Sequence, residues 1–131
     1  MKRGSLRART VGYSTGPSGA HLADLFERWD IADAIASCVV EAPLGVAVGA
    51  LVARSEVELG FQQLSELKDV PGIDVIGMLP PEIQKITVFS AAVCTASDHR
   101  AAVRAFLSFL ASAEAEPTMR RHGMEPARSK S

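Results

Sequence analysis

Cysteine is scarce, neither sign of charge is in surplus, and no long apolar run occurs. Each shortage removes a class of function. Cys38 and Cys94 are the only cysteines and do not make a CxxC pair. They are expected as small core thiols, with a disulfide between them left open. Fourteen Lys and Arg against fifteen Asp and Glu give a net charge of −1, without the positive footprint that a nucleic-acid partner requires. The basic residues gather at the ends, at Lys2, Arg3, Arg7 and Arg9 and again at Arg120, Arg121, Arg128 and Lys130, which reads as solvated termini. The charged N-terminus is not followed by an apolar stretch, so no secretory leader is expected, and nothing is long enough to span a bilayer. On that basis alone the chain stays where it is made.

What is present is an ordinary globular composition, 47% hydrophobic and 22% charged over 131 residues, enough for one domain with a core. Residues 10–14 (TVGYS) are β-prone. Leu22, Leu25, Phe26 and Trp29 then fall at helical spacing and form one apolar stripe. Ile31 to Ile35 continue that helix or start a short one. Cys38-Val39-Val40 reads as a buried strand, and Pro43-Leu44-Gly45 opens a helix that ends near Arg54-Ser55. Glu58 to Phe61 reads as a strand and Leu64 to Leu67 as one helical turn. Ile73 to Gly77 is expected as a further strand, broken by Pro80-Pro81, and the β-branched run Ile86 to Val93 as the strongest of all. Ser97 is expected to cap a helix with the stripe Val103, Phe106, Leu107 and Leu110. A last helix from about Ala113, or from Pro117, stops at Gly123. Strands alternating with helices need crossover connections. The fold class is therefore α/β, a three-layer, mostly parallel sheet covered on both faces.

The stretch YSTGPSGAHL (13–22) joins a strand to a helix with two glycines, a proline and the three aliphatic hydroxyls of Ser14, Thr15 and Ser18. It has no lysine for a Walker A loop, and Gly12, Gly16 and Gly19 lack dinucleotide-fingerprint spacing. Two readings remain. Ser18 or Thr15 caps the helix, which accounts for most serines in such places. Alternatively, the helix-start N–H groups, with the hydroxyls of Ser14, Thr15 and Ser18, form an anion site that needs no cation. Gln62 and Gln63 follow a strand directly, at the edge where open parallel sheets bind ligands, and offer neutral donors there. His21, His99 and His122 have no partner at metal-ligand spacing, so neither a metal nor any other cofactor is expected. No nucleophile–base set or close carboxylate pair can be assembled, and the chain is expected to bind rather than catalyse.

Three segments together, GPSGAHLADLFERWDI (16–31), GVAVGALVARSEVELGFQQLSEL (45–67) and SAAVCTASDHRAAVRAFLSFLASAEAEPTMRRHGMEP (90–126), resemble the second half of the substrate-binding proteins of ABC importers. The likeness is to the molybdate-binding-like group of the type II periplasmic binding fold. The resemblance implies two lobes closing on a small anion or polar solute held by neutral donors. It also implies the membrane subunits of an importer as partners, and a periplasmic location. Carried over by position, Ser18 and the N–H groups after it, Gly19 included, face the ligand, and Gly45 does so at the start of the next helix. Gln63 stands where molybdate binders often have a tyrosine, a departure that leaves the anion open. The first lobe would precede residue 10. The chain therefore resembles a basic segment (1–9), a lobe (10–126) whose part from about 86 returns toward a first lobe, and a tail (127–131). The C-terminal apolar stripe would then lack its cover, and a homo-oligomer is expected through it. The other functional expectation is a cytoplasmic ligand-sensing or interaction module of the same fold.

Overall fold

The computed structural model describes residues 9–127. The basic ends expected at 1–9 and 127–131 fall outside them, apart from Arg9 and Ala127. By chain contacts the molecule divides after Lys85.

The first unit is built on three short parallel strands, β1 (Val11–Tyr13), β2 (Val39–Glu41) and β3 (Leu59–Phe61), in the order β2-β1-β3. Their register pairs Val11 with Val39 and Leu59, and Tyr13 with Glu41 and Phe61. Side chains alternate across a strand, so the sheet has two distinct faces. On one face Val11 joins Leu22, Phe26 and Ile35, with Tyr13, Trp29, Val39 and Phe61 packed around them. The helices supplying these residues are α1 (Pro17–Arg28) and α2 (Ala32–Ile35). The stripe expected from periodicity is the buried one: Leu22, Leu25 and Phe26 are each at most 4% exposed. Trp29 caps the helix end with its ring 6.5 Å from that of Phe26. Asp30, at φ 55°, then turns the chain out of α1.

The other face belongs to α3 (Val48–Ala53) and gathers Ala42, Val48, Leu51 and Val57, with Val40, Val46 and Val52 beside them. Gly12 and Gly60 are register partners in neighbouring strands on this side of the sheet. A Cβ on Gly60 would lie 2.7 Å from a Val52 methyl and 2.8 Å from one of Val48, so the bare backbone lets α3 settle closely on the sheet. One turn of helix, α4 (Leu64–Leu67), follows β3. The class is thus α/β, a parallel sheet with helices on both faces.

Three expectations are corrected. Ile73–Gly77 and Ile86–Val93 are not strands; neither stretch has a place in a sheet among the described residues. Their β-branched composition favours extended backbone, but a strand also requires a neighbour to complete its hydrogen bonds, and none of the described residues pairs with them. Ile76, Ile86, Val88 and Phe89 consequently stay exposed, between 68% and 84%. The cysteines are free thiols but not core residues. Cys38 ends a 3-10 turn before the edge strand β2 and is half-buried, and Cys94 is exposed.

The second unit holds α5 (Arg100–Leu110) and α6 (Glu116–Arg121). Ser97 does not cap α5, which is the third correction. Its hydroxyl accepts the His99 N–H at 3.1 Å in a local turn, and the helix starts one residue beyond. Val103, Leu107 and Leu110 are half-buried, whereas Phe106 is 58% exposed. After α6, Gly123 at φ 78° ends the helix as expected. No helix among the described residues is long and apolar enough to cross a membrane.

Candidate functional site

Because the three strands are parallel, their C-terminal ends share one edge of the sheet. The loops leaving them, 14–18 after β1, 43–47 after β2 and 62–66 after β3, line a single cleft of about 460 Å³. Such an edge is where open α/β sheets bind ligands, since diverging loops leave a crevice there.

The β1 loop brings Ser14, Thr15 and Ser18. The Ser14 and Ser18 hydroxyls lie 3.0 Å apart, so one donates to the other and one O–H remains to donate elsewhere. Gly16 caps α1 in extended conformation and has no side chain to take up helix-start donors. Pro17 has no N–H, and those of Gly19 and Ala20 donate to the Gly16 carbonyl at 3.0 and 3.1 Å. The Ser18 N–H is left without a partner among the described residues, at the positive end of a twelve-residue helix. Gly19 itself is buried outside the cleft lining. A Cβ there would run into the Ser14 carbonyl oxygen, so glycine permits the close turn that aims Ser18.

The β2 loop is a tight turn. Val46 N–H donates to the Pro43 carbonyl at 2.9 Å, and Gly45 sits at φ 79° in the third position, the conformation that favours glycine in a type II turn. Gly45 therefore lines the cleft from a turn; α3 begins only at Val48, three residues later than expected. The β3 loop brings Gln62 and Gln63. Gln62 Oε1 accepts the Val48 N–H at 2.9 Å, tying this loop to the start of α3, and Gln63 is the N-cap residue just before α4.

Ser14, Thr15, Ser18, Gly45, Gln62 and Gln63, singled out from sequence, thus share one cleft, and Gly19 supports it from behind. Sequence reasoning missed Gly16, Pro17, Pro43, Val46, Ala47 and Glu66. Glu66 is the one titratable side chain on the cleft among the described residues, and its place there depends on where α4 begins. His21 is not on the cleft. Its Nε2–H donates to the Ile83 carbonyl at 2.6 Å and pins the segment after Pro80-Pro81 against α1.

A search of curated proteins finds an aconitate isomerase from a Pseudomonas species, 43% identical over 121 residues, covering 92% of this chain and 46% of that protein. The chain spans about half the length of this relative. No solved structure matches this chain. The relative is named for a reaction, which overturns the expectation that this chain is not an enzyme. That expectation rested on the lack of a nucleophile–base set or a carboxylate pair. A reaction that only relocates a proton requires neither, since a single base can serve it. The family model for bacterial extracellular solute-binding proteins matches residues 1–125, nearly the whole sequence, and the chain belongs to that family.

Proposed function

We propose that the cleft receives a small polycarboxylate of the aconitate kind, and that these residues form one wall of a site whose complete form isomerises it. The carrying observation is the convergence of neutral donors, the Ser18 N–H, one Ser14/Ser18 hydroxyl and the Gln62 and Gln63 amides, around a single carboxylate, Glu66. Neutral donors at a helix start suit carboxylates without a compensating cation. The relative named for aconitate supplies the substrate class.

Glu66 is the base in this reading. It takes a proton from the methylene carbon of the propene tricarboxylate and returns it to the far carbon of the allyl system. The double bond moves by one position and can reform in either geometry, with no oxidant or other reactant consumed. The wall corresponds to the second lobe of a two-lobed binding protein. A periplasmic location and delivery to an ABC importer's membrane subunits belong to the same proposal. So does association of two copies through the face of α5 that leaves Phe106 exposed, which light scattering at increasing concentration would report and a monomer throughout would exclude.

The test is a thermal-shift and titration series with trans-aconitate, cis-aconitate, molybdate, sulfate and phosphate. A ligand at 100 times its dissociation constant adds about 2.7 kcal/mol to stability. Stabilisation by the tricarboxylates and not by the inorganic anions is the expected result. Stabilisation by molybdate or sulfate alone would replace the carboxylate reading with an oxyanion one. No response to any of them at millimolar concentration would overturn both. In a protein of the relative's length, Glu66→Gln is expected to retain tricarboxylate binding and lose interconversion.

A further inference from the structure

We propose that Gln62 decides which ligands the cleft accepts, through a side-chain amide whose orientation the fold fixes. The inference rests on the anion reading above and adds a discriminating residue to it. The Val48 N–H can only donate, so the Gln62 atom 2.9 Å from it is the carbonyl oxygen Oε1. Turning the amide over would set its NH₂ against that N–H, with two donors facing each other. The fixed bond therefore determines what the residue has left to offer. Its acceptor oxygen is occupied by the first turn of α3, and Nε2 with its two hydrogens has no partner among the described residues, in a residue that lines the cleft.

Gln62 is consequently a donor toward ligand. It rewards carboxylate or oxyanion oxygens and gives nothing to an ammonium or amide N–H. Its neighbour Gln63 has no such tie, and its amide can present either end. The same bond satisfies one of the unpaired N–H groups at the start of α3, so Gln62 has a structural duty and a recognition duty carried by different atoms of one amide.

That separation makes the two duties testable apart. Gln62→Glu keeps an oxygen for the Val48 N–H, in a position where negative charge is favoured by the helix start. Its second oxygen, however, confronts the ligand with an acceptor and a charge of the wrong sign. Gln62→Met removes both functions. Titration of the full chain with trans-aconitate, alongside thermal unfolding of each variant without ligand, separates the outcomes. The expected result is an unfolding temperature for Gln62→Glu at or above that of the parent, with trans-aconitate binding weakened about ten- to hundredfold. Gln62→Met is expected to lose stability as well as affinity. Parent-like affinity in Gln62→Glu would overturn the assignment to Gln62 and leave the anion reading intact. Failure of the parent chain itself to bind trans-aconitate, sulfate or molybdate would overturn the anion reading, and this inference with it.

Discussion

At Gly19 the end of β1 and the first turn of α1 approach so closely that no side chain fits, since a Cβ would meet the Ser14 carbonyl oxygen and the Tyr13 ring. Alanine in a helix is favoured over glycine by up to about 1 kcal/mol, so local propensity predicts that Gly19→Ala stabilises. The collision acts the other way and is the larger effect, because a backbone carbonyl cannot rotate aside as a side chain can. Overpacking of this kind costs about 1–3 kcal/mol, and Gly19→Ala is expected to lower the urea midpoint accordingly. Gly60→Ala presses on the methyls of Val52 and Val48, with the Val48 carbonyl oxygen at an ordinary 3.9 Å, and is expected to cost less. A midpoint for Gly19→Ala at or above the parent's would show that the Ser14 carbonyl gives way. It would also remove the reason for assigning Gly19 a supporting role behind Ser18.

Single elements show what a sequence can and cannot disclose. The stripe of α1 was legible because its burial follows from spacing within one helix, and β2 and β3 were legible as short apolar runs, read at 38–40 and 58–61 and found at Val39–Glu41 and Leu59–Phe61. The cleft-facing placement of Ser14 and Gln62 was legible for a similar reason, since parallel strands bring their C-terminal ends together. Glu66, Val46 and Ala47 were not, because their place depends on how the 43–47 turn folds and on where α4 begins. Ile86–Val93 was misread for the opposite reason. Its composition is more strand-like than that of β1, yet β1 has a partner on each side and this run has none among the described residues. Hydrogen exchange distinguishes composition from pairing. Amides of Gly12 and Val40 in the sheet are expected to be protected, whereas those of Thr87 to Val93 exchange near the rate of an unstructured peptide. Protection across 87–93 would mean that this run has found a partner, in its own chain or in a second copy.

For the molecule as a whole, the division after Lys85 leaves the cleft in the first unit. Every described residue lining the cleft lies between Ser14 and Glu66, and both faces of the sheet are covered from within the first unit. Lys85 is exposed in a stretch without helix or strand, whereas Arg28 closes α1, Arg54 caps α3 with an ion pair to Glu56, and Lys68 caps α4. A protease must draw about a dozen residues of extended chain into its site, so cleavage follows local unfolding rather than exposure alone. Among the sites between residues 10 and 99, trypsin at low concentration is therefore expected to cut first after Lys85. The larger piece should keep the sheet, by circular dichroism and by persistence of the amide protection at Gly12 and Val40. It should also respond to trans-aconitate as the intact chain does. A first cut at Arg54 or Lys68 would mean that α3 and α4 open more easily than the stretch between the units. Equal resistance at Lys85 and at the helix ends would mean that residues 73–99 are held by contacts that their exposed side chains do not reveal. Loss of the trans-aconitate response after a clean cut at Lys85 would place part of the recognition beyond that residue, and the cleft formed by the three loops would no longer suffice as the site.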